Sequence, residues 1–265
     1  MEMTKRAWWV IVALTVFGSN AAGQTAVPDP HEAQPERPTV ATHAGTVAPG
    51  WVEIEVGTEF DRYSERSHGG TLPALTKVGL APRLQLSVQT PFTHPPGADG
   101  IGIGDFAVGV KWRIVEGAPV IGDFAILPGI KAPTGSKDSA AGTGTTDFNL
   151  LLISSHEFGH VAMDINVGYT HRSGDGTSAP RNATLWTDSF GGPARGRVGW
   201  VAELYGYPGT SGPAGAPRIV AALAGPTFEI RKSFVLDAGF IEPIKGPQPR
   251  AIYAGMTYNI GRLRK

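Results

Sequence analysis

The residues with the clearest potential for chemistry lie near the middle of the chain, in the segment SSHEFGHVAMD. His156, Glu157 and His160 match the HExxH pattern of zinc metalloproteases. That chemistry needs a helix, because the i, i+4 spacing brings both histidines to one metal ion while the glutamate polarises the bound water. The sequence predicts no helix, since residues 161–169 alternate apolar and polar side chains as a strand does. We therefore expect residues 157–160 to form a hairpin turn, with no metal and no cofactor.

Two further patterns suggest catalysis or nucleotide binding and lack the required context. His171, Ser173 and Asp175 share one loop, but their spacing fits no catalytic triad. Residues 102–107, GIGDFA, match the dinucleotide-binding pattern GxGxxA, yet the residues that follow predict a strand where that site needs a helix. We predict no catalytic residues and no enzyme.

The composition narrows the class of protein. Lys plus Arg and Asp plus Glu both number 23, so the chain has no net charge and no basic surface to hold nucleic acid. Charged residues make up only 17%, below the roughly 25% of ordinary soluble domains. The 36 glycines and 22 prolines interrupt the chain often, and there is no cysteine to form disulfides. These features favour many short elements joined by turns.

The N-terminal residues have the layout of a secretory signal peptide. Lys5 and Arg6 precede an apolar run over residues 7–17 and then small residues up to Gly23. A membrane-spanning helix would need about 20 apolar residues, so we expect residues 1–23 to be cleaved after export. Residues 24–50 are rich in Pro, Ala and Thr without periodicity, which predicts a disordered lead-in. Residues 51–265 form the predicted folded domain.

From residue 51 the sequence alternates with period two. WVEIEVGTEFD places Val52, Ile54 and Val56 on one face and Glu53 and Glu55 on the other. The alternation returns in RLQLSVQTPF, DFAVGVKWRI, FVLDAGF and IYAGMTYNI, with short turns and long Gly/Pro/Ser loops in turn between the runs. This pattern is typical of strands in an all-β fold.

The polar face of these strands carries mostly Gly, Ala, Thr, Asn and Gln with scattered charges. A soluble barrel would present a more heavily charged exterior, whereas an outer-membrane barrel turns its apolar face to lipid and its polar face to the lumen. We therefore predict an antiparallel up-and-down outer-membrane-type β-barrel of about twelve strands, with short periplasmic turns and longer extracellular loops. The alternative is a soluble periplasmic barrel that binds an apolar ligand in its core.

Strand parity predicts which polar side chains line the lumen. Their mixed signs favour ion pairs inside the barrel, because unpaired charges in a narrow pore are unfavourable. A barrel filled by these side chains would be a plugged structural protein that conducts nothing. The predicted lumen-lining residues are Glu53, Glu55, Gln85, Gln89, Lys111, Arg113, Lys131, Asp147, Asn149, Asp164, Asn166, Glu203, Glu229, Arg231 and Asp237.

The same segments resemble a known family. ERPTVATHAGTVAPGWVEIEVGTEF, GLAPRLQLSVQTPF, ILPGIKAPTG and FVLDAGF match its pattern, and the series GDF, GVKWR, KAPTG and GTGTTDF is the most specific. The chain resembles, from about Arg37 to the last strand, the phenol meta-pathway degradation family of bacterial outer-membrane proteins. The resemblance implies an outer-membrane barrel that transports small aromatic or hydrophobic compounds, with outer-membrane lipid as its surroundings. It implies no catalytic residues.

Overall fold

The computed structural model of the protein describes residues 29–63, 67–135 and 141–263. The predicted signal peptide, residues 1–23, and residues 24–28 of the predicted lead-in lie outside the described residues. Among the residues described, no helix is long and apolar enough to cross a membrane.

The described chain contains thirteen β-strands, which follow the period-two segments of the sequence. They are β1 (Trp51–Arg62), β2 (His68–Ala81), β3 (Leu84–His94), β4 (Gly102–Ile103), β5 (Phe106–Ala118), β6 (Gly122–Ala132), β7 (Asp147–Phe158), β8 (Val161–Arg172), β9 (Asn182–Arg195), β10 (Val198–Tyr207), β11 (Ile219–Arg231), β12 (Phe234–Lys245) and β13 (Arg250–Arg262).

Twelve of these strands close into one antiparallel barrel. Each strand pairs with its neighbours along the chain, and β1 pairs with both β2 and β13, which removes the sheet edges. The remaining strand, β4, is a two-residue addition to β3 in the loop before β5. The fold class and the count of about twelve strands predicted from the sequence are confirmed.

The two rims of the barrel differ in their connections. One rim, called here the short-turn rim, carries turns such as Gly159-His160 and Lys232-Ser233, and the first residues of β1 lie there. The other, the long-loop rim, carries longer connections such as residues 133–146 and 208–218. In the HExxH segment, β7 runs to Phe158, and Gly159 takes a positive φ of 66° in the turn before β8. His156 lies in β7, beside Phe158, and His160 in the turn, so the two histidines share no helix face.

The outer face is apolar. Trp112, Val167 and Phe240 are 51–53% exposed and Ile252 is 64% exposed, as outward residues of a barrel in lipid would be. Asp188 departs from this pattern, because β9 pairs it with the outward-facing Ile165 of β8 and Leu204 of β10. Its Oδ1 is buried and accepts no hydrogen bond from the described residues. A carboxylate therefore lies in the middle of the apolar face.

The lead-in differs from the sequence-based expectation. Residues 29–50 contain no regular element, but Ala33, Ala41, Ala44 and Val47 are buried within the barrel. The prediction of disorder for residues 24–50 is therefore wrong over residues 29–50. Low hydrophobicity and missing periodicity predict disorder only when a segment must build its own core. This segment packs instead against the interior of the barrel. We call residues 29–50 the strap.

Candidate functional site: a strapped lumen and an open cavity

The strap enters and leaves the lumen at the short-turn rim. At its start, the Ala33 amide donates to the Lys232 carbonyl in the β11–β12 turn, and the Asn259 side-chain amide donates to the Pro30 carbonyl. At its end, the Gly50 amide donates to the Gly79 carbonyl near the end of β2. Between these ends the strap crosses the barrel, so it occupies the half of the lumen next to the short turns.

Lumen side chains hold the strap by its backbone. Seven strap amides donate to side-chain oxygens of the barrel at 2.7–2.9 Å. The pairs are Gln34 with Glu53, Glu36 with Glu55, Val40 and Ala41 with the two oxygens of Glu203, Thr42 with Asn166, Ala44 with Ser155, and Val47 with Gln85. Asn166 also donates to the Thr42 carbonyl at 2.9 Å. An irregular segment is stable in the lumen because the barrel supplies the acceptors that a helix or sheet would otherwise provide.

A buried charge cluster anchors the first part of the strap. Lys77 lies 2.5 Å from both Glu53 and Glu55, its neighbours across the β1–β2 pair, and it donates to the Gln34 carbonyl. Lys111 lies 2.5 Å from Glu36 of the strap. Lys77, Lys111, Glu53 and Glu55 are each at most 1% exposed. Buried charges of this kind are stable only while each has its partners, so removal of one leaves the others uncompensated.

Two buried titratable groups of the strap, Glu36 and His43, have shifted pKa values. Burial alone would raise the pKa of the Glu36 carboxyl, but the ammonium groups of Lys111 and Lys77 hold it far below its usual range. Burial, reinforced by Lys111, lowers the pKa of His43 to about 3. Glu36 is therefore ionised and His43 neutral in the docked strap at neutral pH.

The middle of the strap lies against the barrel wall. The Arg37 guanidinium approaches Asp237 at 3.4 Å. A Cβ atom at Gly57 would lie 2.1 Å from this guanidinium, and one at Gly255 would lie 2.5 Å from its Nε. The glycines at these two paired positions of β1 and β13 leave room for the arginine side chain in this orientation.

A second charged group lies under the long-loop rim. Asp105 accepts hydrogen bonds from the backbone amides of Gly135 and Thr143 and from Lys131. Asp147 lies 3.4 Å from Lys131 and 3.3 Å from Arg172. Burial would raise the pKa of Asp105, but these donors lower it. The group fixes the ends of the β6–β7 loop to the wall.

Between the strap and the long loops lies an open cavity of about 440 Å³. Its wall includes four leucines of different strands and Tyr207, and Glu36 contributes to its floor; the leucines are Leu75, Leu127, Leu151 and Leu185. The polar residues are mostly uncharged: Gln89, Asn149 and Thr170 line it, and Thr170 donates to Asn149 at 2.7 Å. This half of the lumen is more apolar than the polar inner face expected from the sequence.

The other predicted lumen residues lie in three places. Asp164 accepts a hydrogen bond from Ser155 at 2.5 Å and so lies behind the strap. Arg113 pairs with Glu116 at 2.8 Å and Asp123 at 3.3 Å towards the short-turn rim. Glu229 is exposed near the same rim.

Arg231 does not line the lumen. Its guanidinium lies 5.2 Å from the ring centre of Tyr258, which belongs to the outward-facing apolar set of β13. The pairing of β11 with β12 shifts register between Glu229 and Arg231, and such an irregularity reverses the alternation on which the prediction rested.

Sequence reasoning missed Glu36 of the strap and the barrel residues Lys77 and Ser155 that bind the strap. Lys77 lies in β2, where Pro73 and several glycines weaken the alternating pattern. Ser155 precedes the histidine of the HExxH pattern and has no feature of its own in the sequence. The signal that could have identified the strap is the family resemblance, because it begins near Arg37, within the segment interpreted as disordered.

The described residues hold no group of three or more His, Asp or Glu side chains that could bind a metal ion. His156 is paired with Ser154 at 3.0 Å and stacks on Phe158. The HExxH segment is thus a strand end and a turn.

Comparison with known proteins identifies a family whose model covers most of the chain. The family model described as "Putative MetA-pathway of phenol degradation" matches residues 36–242, which include most of the strap. A search of curated proteins finds no match to the sequence.

Several solved structures have the same fold at low identity. The COG4313 outer membrane channel from Pseudomonas putida F1 is similar with a TM-score of 0.65 and 12% identity, over 82% of this chain and 98% of that one. The KdgM porin (TM-score 0.53, 12% identity) and the NanC porin (TM-score 0.54, 9% identity) are each similar over 78% of this chain and 98% of theirs. At these identities the likeness concerns the fold alone.

Proposed function

Because the chain belongs to the family described by the MetA pathway of phenol degradation, we propose that it is an outer-membrane channel for small apolar or aromatic compounds. The transport is passive and involves no catalytic step and no cofactor. The long-loop rim faces the outside of the cell and the short-turn rim the periplasm, as is usual for barrels of this type.

The outer face supports a position in the membrane. Exposed Ile, Leu, Phe, Val and Trp side chains surround the barrel, and a contiguous apolar surface of this extent is rare on soluble proteins. Residues 1–23 would direct export and be removed. Outer-membrane lipid is then the surrounding partner, and the soluble periplasmic barrel is disfavoured.

The observation that carries the proposal is the leucine-lined cavity. Its volume of about 440 Å³ lies within the range of pockets that hold small organic molecules. The leucines provide contacts for an apolar body, and Gln89, Asn149 and Tyr207 provide hydrogen bonds for a hydroxyl or carbonyl group. Such a site favours an uncharged, mostly apolar solute over a sugar or an ion.

The strap lies between this cavity and the periplasm. A solute that enters from the long-loop rim meets Glu36 at the floor of the cavity. Passage therefore requires the strap to move aside at least in part. A strap that never moves would make the protein the plugged structural barrel that the sequence also allowed.

The test is uptake into proteoliposomes. Wild-type protein should admit a radiolabelled phenol-sized aromatic compound faster than a hexose, relative to protein-free vesicles. Leu185→Asn should slow aromatic uptake by about tenfold, because burial of a leucine-sized apolar contact is worth about 1.5–3 kcal/mol. Leu185→Ile is the matched control and should retain uptake.

Equal uptake of the aromatic compound by protein-containing and protein-free vesicles would contradict the channel and favour the plugged barrel. Equal slowing of aromatic compound and hexose by Leu185→Asn would show a general loss of pore area without selection for apolar solutes.

A further inference from the structure

The contacts of the strap define a binding site of a particular chemical kind. Seven barrel oxygens receive strap backbone amides, whereas within the described residues three strap side chains, those of Asp29, Glu36 and Arg37, bind the barrel through a charge, and the Asp29 pair is exposed at the rim. Backbone amides are common to every peptide. The wall therefore recognises the peptide backbone more than a particular sequence.

The strap side chains add a restriction of size. Ala41, Ala44 and Val47, which are three residues apart, are 2%, 0% and 1% exposed. Val40 packs against the apolar cluster that includes Tyr205 and Tyr253. A longer side chain at the alanine positions would have no space, so the site selects small residues there.

We propose that the short-turn half of the lumen is a binding site for peptide segments with small side chains at every third position, and that the strap is its built-in occupant. A peptide of this kind supplied from the periplasm competes with the strap for the same acceptors. This proposal does not rest on the proposed passage of apolar solutes, whose cavity lies in the other half of the lumen.

The covalent connection to β1 conceals this activity in the intact chain. A tethered segment is present at an effective concentration of about millimolar or more, which a free peptide rarely exceeds. The test must therefore convert the strap into a free peptide after the barrel has folded.

A protease recognition sequence inserted between Pro49 and Gly50 of the full chain achieves this. The protein is folded in detergent, cleaved, and mixed with a fluorescent synthetic peptide of residues 29–49, and binding is measured by anisotropy. We expect the cleaved strap to co-purify with the barrel and to exchange with the labelled peptide, which should bind saturably.

Two methylated peptides separate backbone recognition from side-chain recognition. The Ala41 amide donates to Glu203 at 2.7 Å, so N-methylation there should weaken binding about tenfold, because it removes the donor and leaves a buried acceptor unsatisfied. The His43 amide makes no hydrogen bond in the described part of the chain, so the same methyl group there should change affinity by less than about threefold. Replacement of Ala44 by leucine in the peptide should abolish binding.

On the barrel side, Glu203→Gln should weaken binding of the labelled peptide. Glu229→Gln, which alters an exposed residue away from the strap, should leave the affinity unchanged. Loss of the cleaved strap together with no binding of the labelled peptide at millimolar concentration would overturn the proposal. Equal weakening of peptide binding by the two N-methyl groups would also overturn it. Unfolding of the barrel on cleavage would do the same, because the strap would then be part of the structural core.

Discussion

The two halves of the lumen differ in what occupies the inward-facing positions of the barrel wall. In the short-turn half, Glu53, Glu55 and Glu203 point inward and are matched by strap amides and by Lys77. In the long-loop half, the inward positions hold leucines around a cavity, and its charged groups are paired at the wall. A barrel wall thus carries buried acids where a second segment or a neighbouring cation provides donors, as for Asp147 with Lys131 and Arg172, and apolar residues where space remains open.

The largest effect should come from breaking the charge cluster. Lys111→Met leaves the Glu36 side chain with the neutral Gln85 amide at 3.0 Å and, as its remaining cation among the described residues, the more distant Lys77 at 3.9 Å. Removal of one partner of a buried pair costs about 3–5 kcal/mol, so the strap should undock and single-channel conductance should rise. The double variant Lys111→Met, Glu36→Gln restores neutrality and should return conductance towards the wild-type value. Unchanged conductance in the single variant would show that the backbone contacts alone hold the strap.

Asp188 differs from the inward-facing acids that bind the strap. It faces outward and receives no hydrogen bond from the strap or the described wall. Asp188→Leu should stabilise the barrel by about 1–2 kcal/mol, since a charge on the lipid face is unfavourable. Urea unfolding in lipid vesicles measures this. Glu203→Leu, which removes an inward-facing acid of the strap site, is the contrasting variant and should weaken strap docking. Destabilisation by Asp188→Leu would mean that the carboxylate has a partner in the membrane.

Acidification should loosen the strap through His43. Its pKa is about 3 when docked and about 6.5 in an exposed histidine, so the undocked strap binds the proton more readily. Docking is therefore fully favourable above about pH 6.5 and weakens as pH falls towards 3, by up to about tenfold per pH unit. Glu36, whose pKa is also depressed, adds to this loss only below about pH 4.3.

Conductance recorded between pH 7 and pH 5 tests the role of His43, which faces Lys111, Lys77 and Glu36. It should rise on acidification in the wild type and stay nearly constant in His43→Asn. An equal rise in both proteins would assign the effect to other groups.

The smallest effect is expected at the entrance of the strap. Lys232 and Asp29 form an exposed pair at 3.4 Å, and pairs of this kind contribute little. Lys232→Met should leave conductance and strap docking unchanged, since the nearby Ala33 contact uses the Lys232 carbonyl. A conductance increase like that of Lys111→Met would show that the strap is held at its entrance and not at the charge cluster.

The sequence by itself determined the barrel, because period-two alternation and turn residues are local properties. Val52, Ile54 and Val56 identify the outward face of β1 from neighbours two positions away, and the same rule places Glu53 and Glu55 inside. The rule fails at Arg231, where an irregular pairing that no local pattern reveals reverses the alternation.

Only the tertiary structure decided what fills the lumen. The strap has no periodicity, and the side chains that bind its amides lie 19 to 163 positions away in the sequence. Its order comes from acceptors that converge only when twelve strands have closed, as Glu203 of β10 and Gln85 of β3 do around one segment. Local sequence therefore specifies each strand, whereas the division of the lumen into a strapped half and an open half depends on contacts that exist only in the closed barrel.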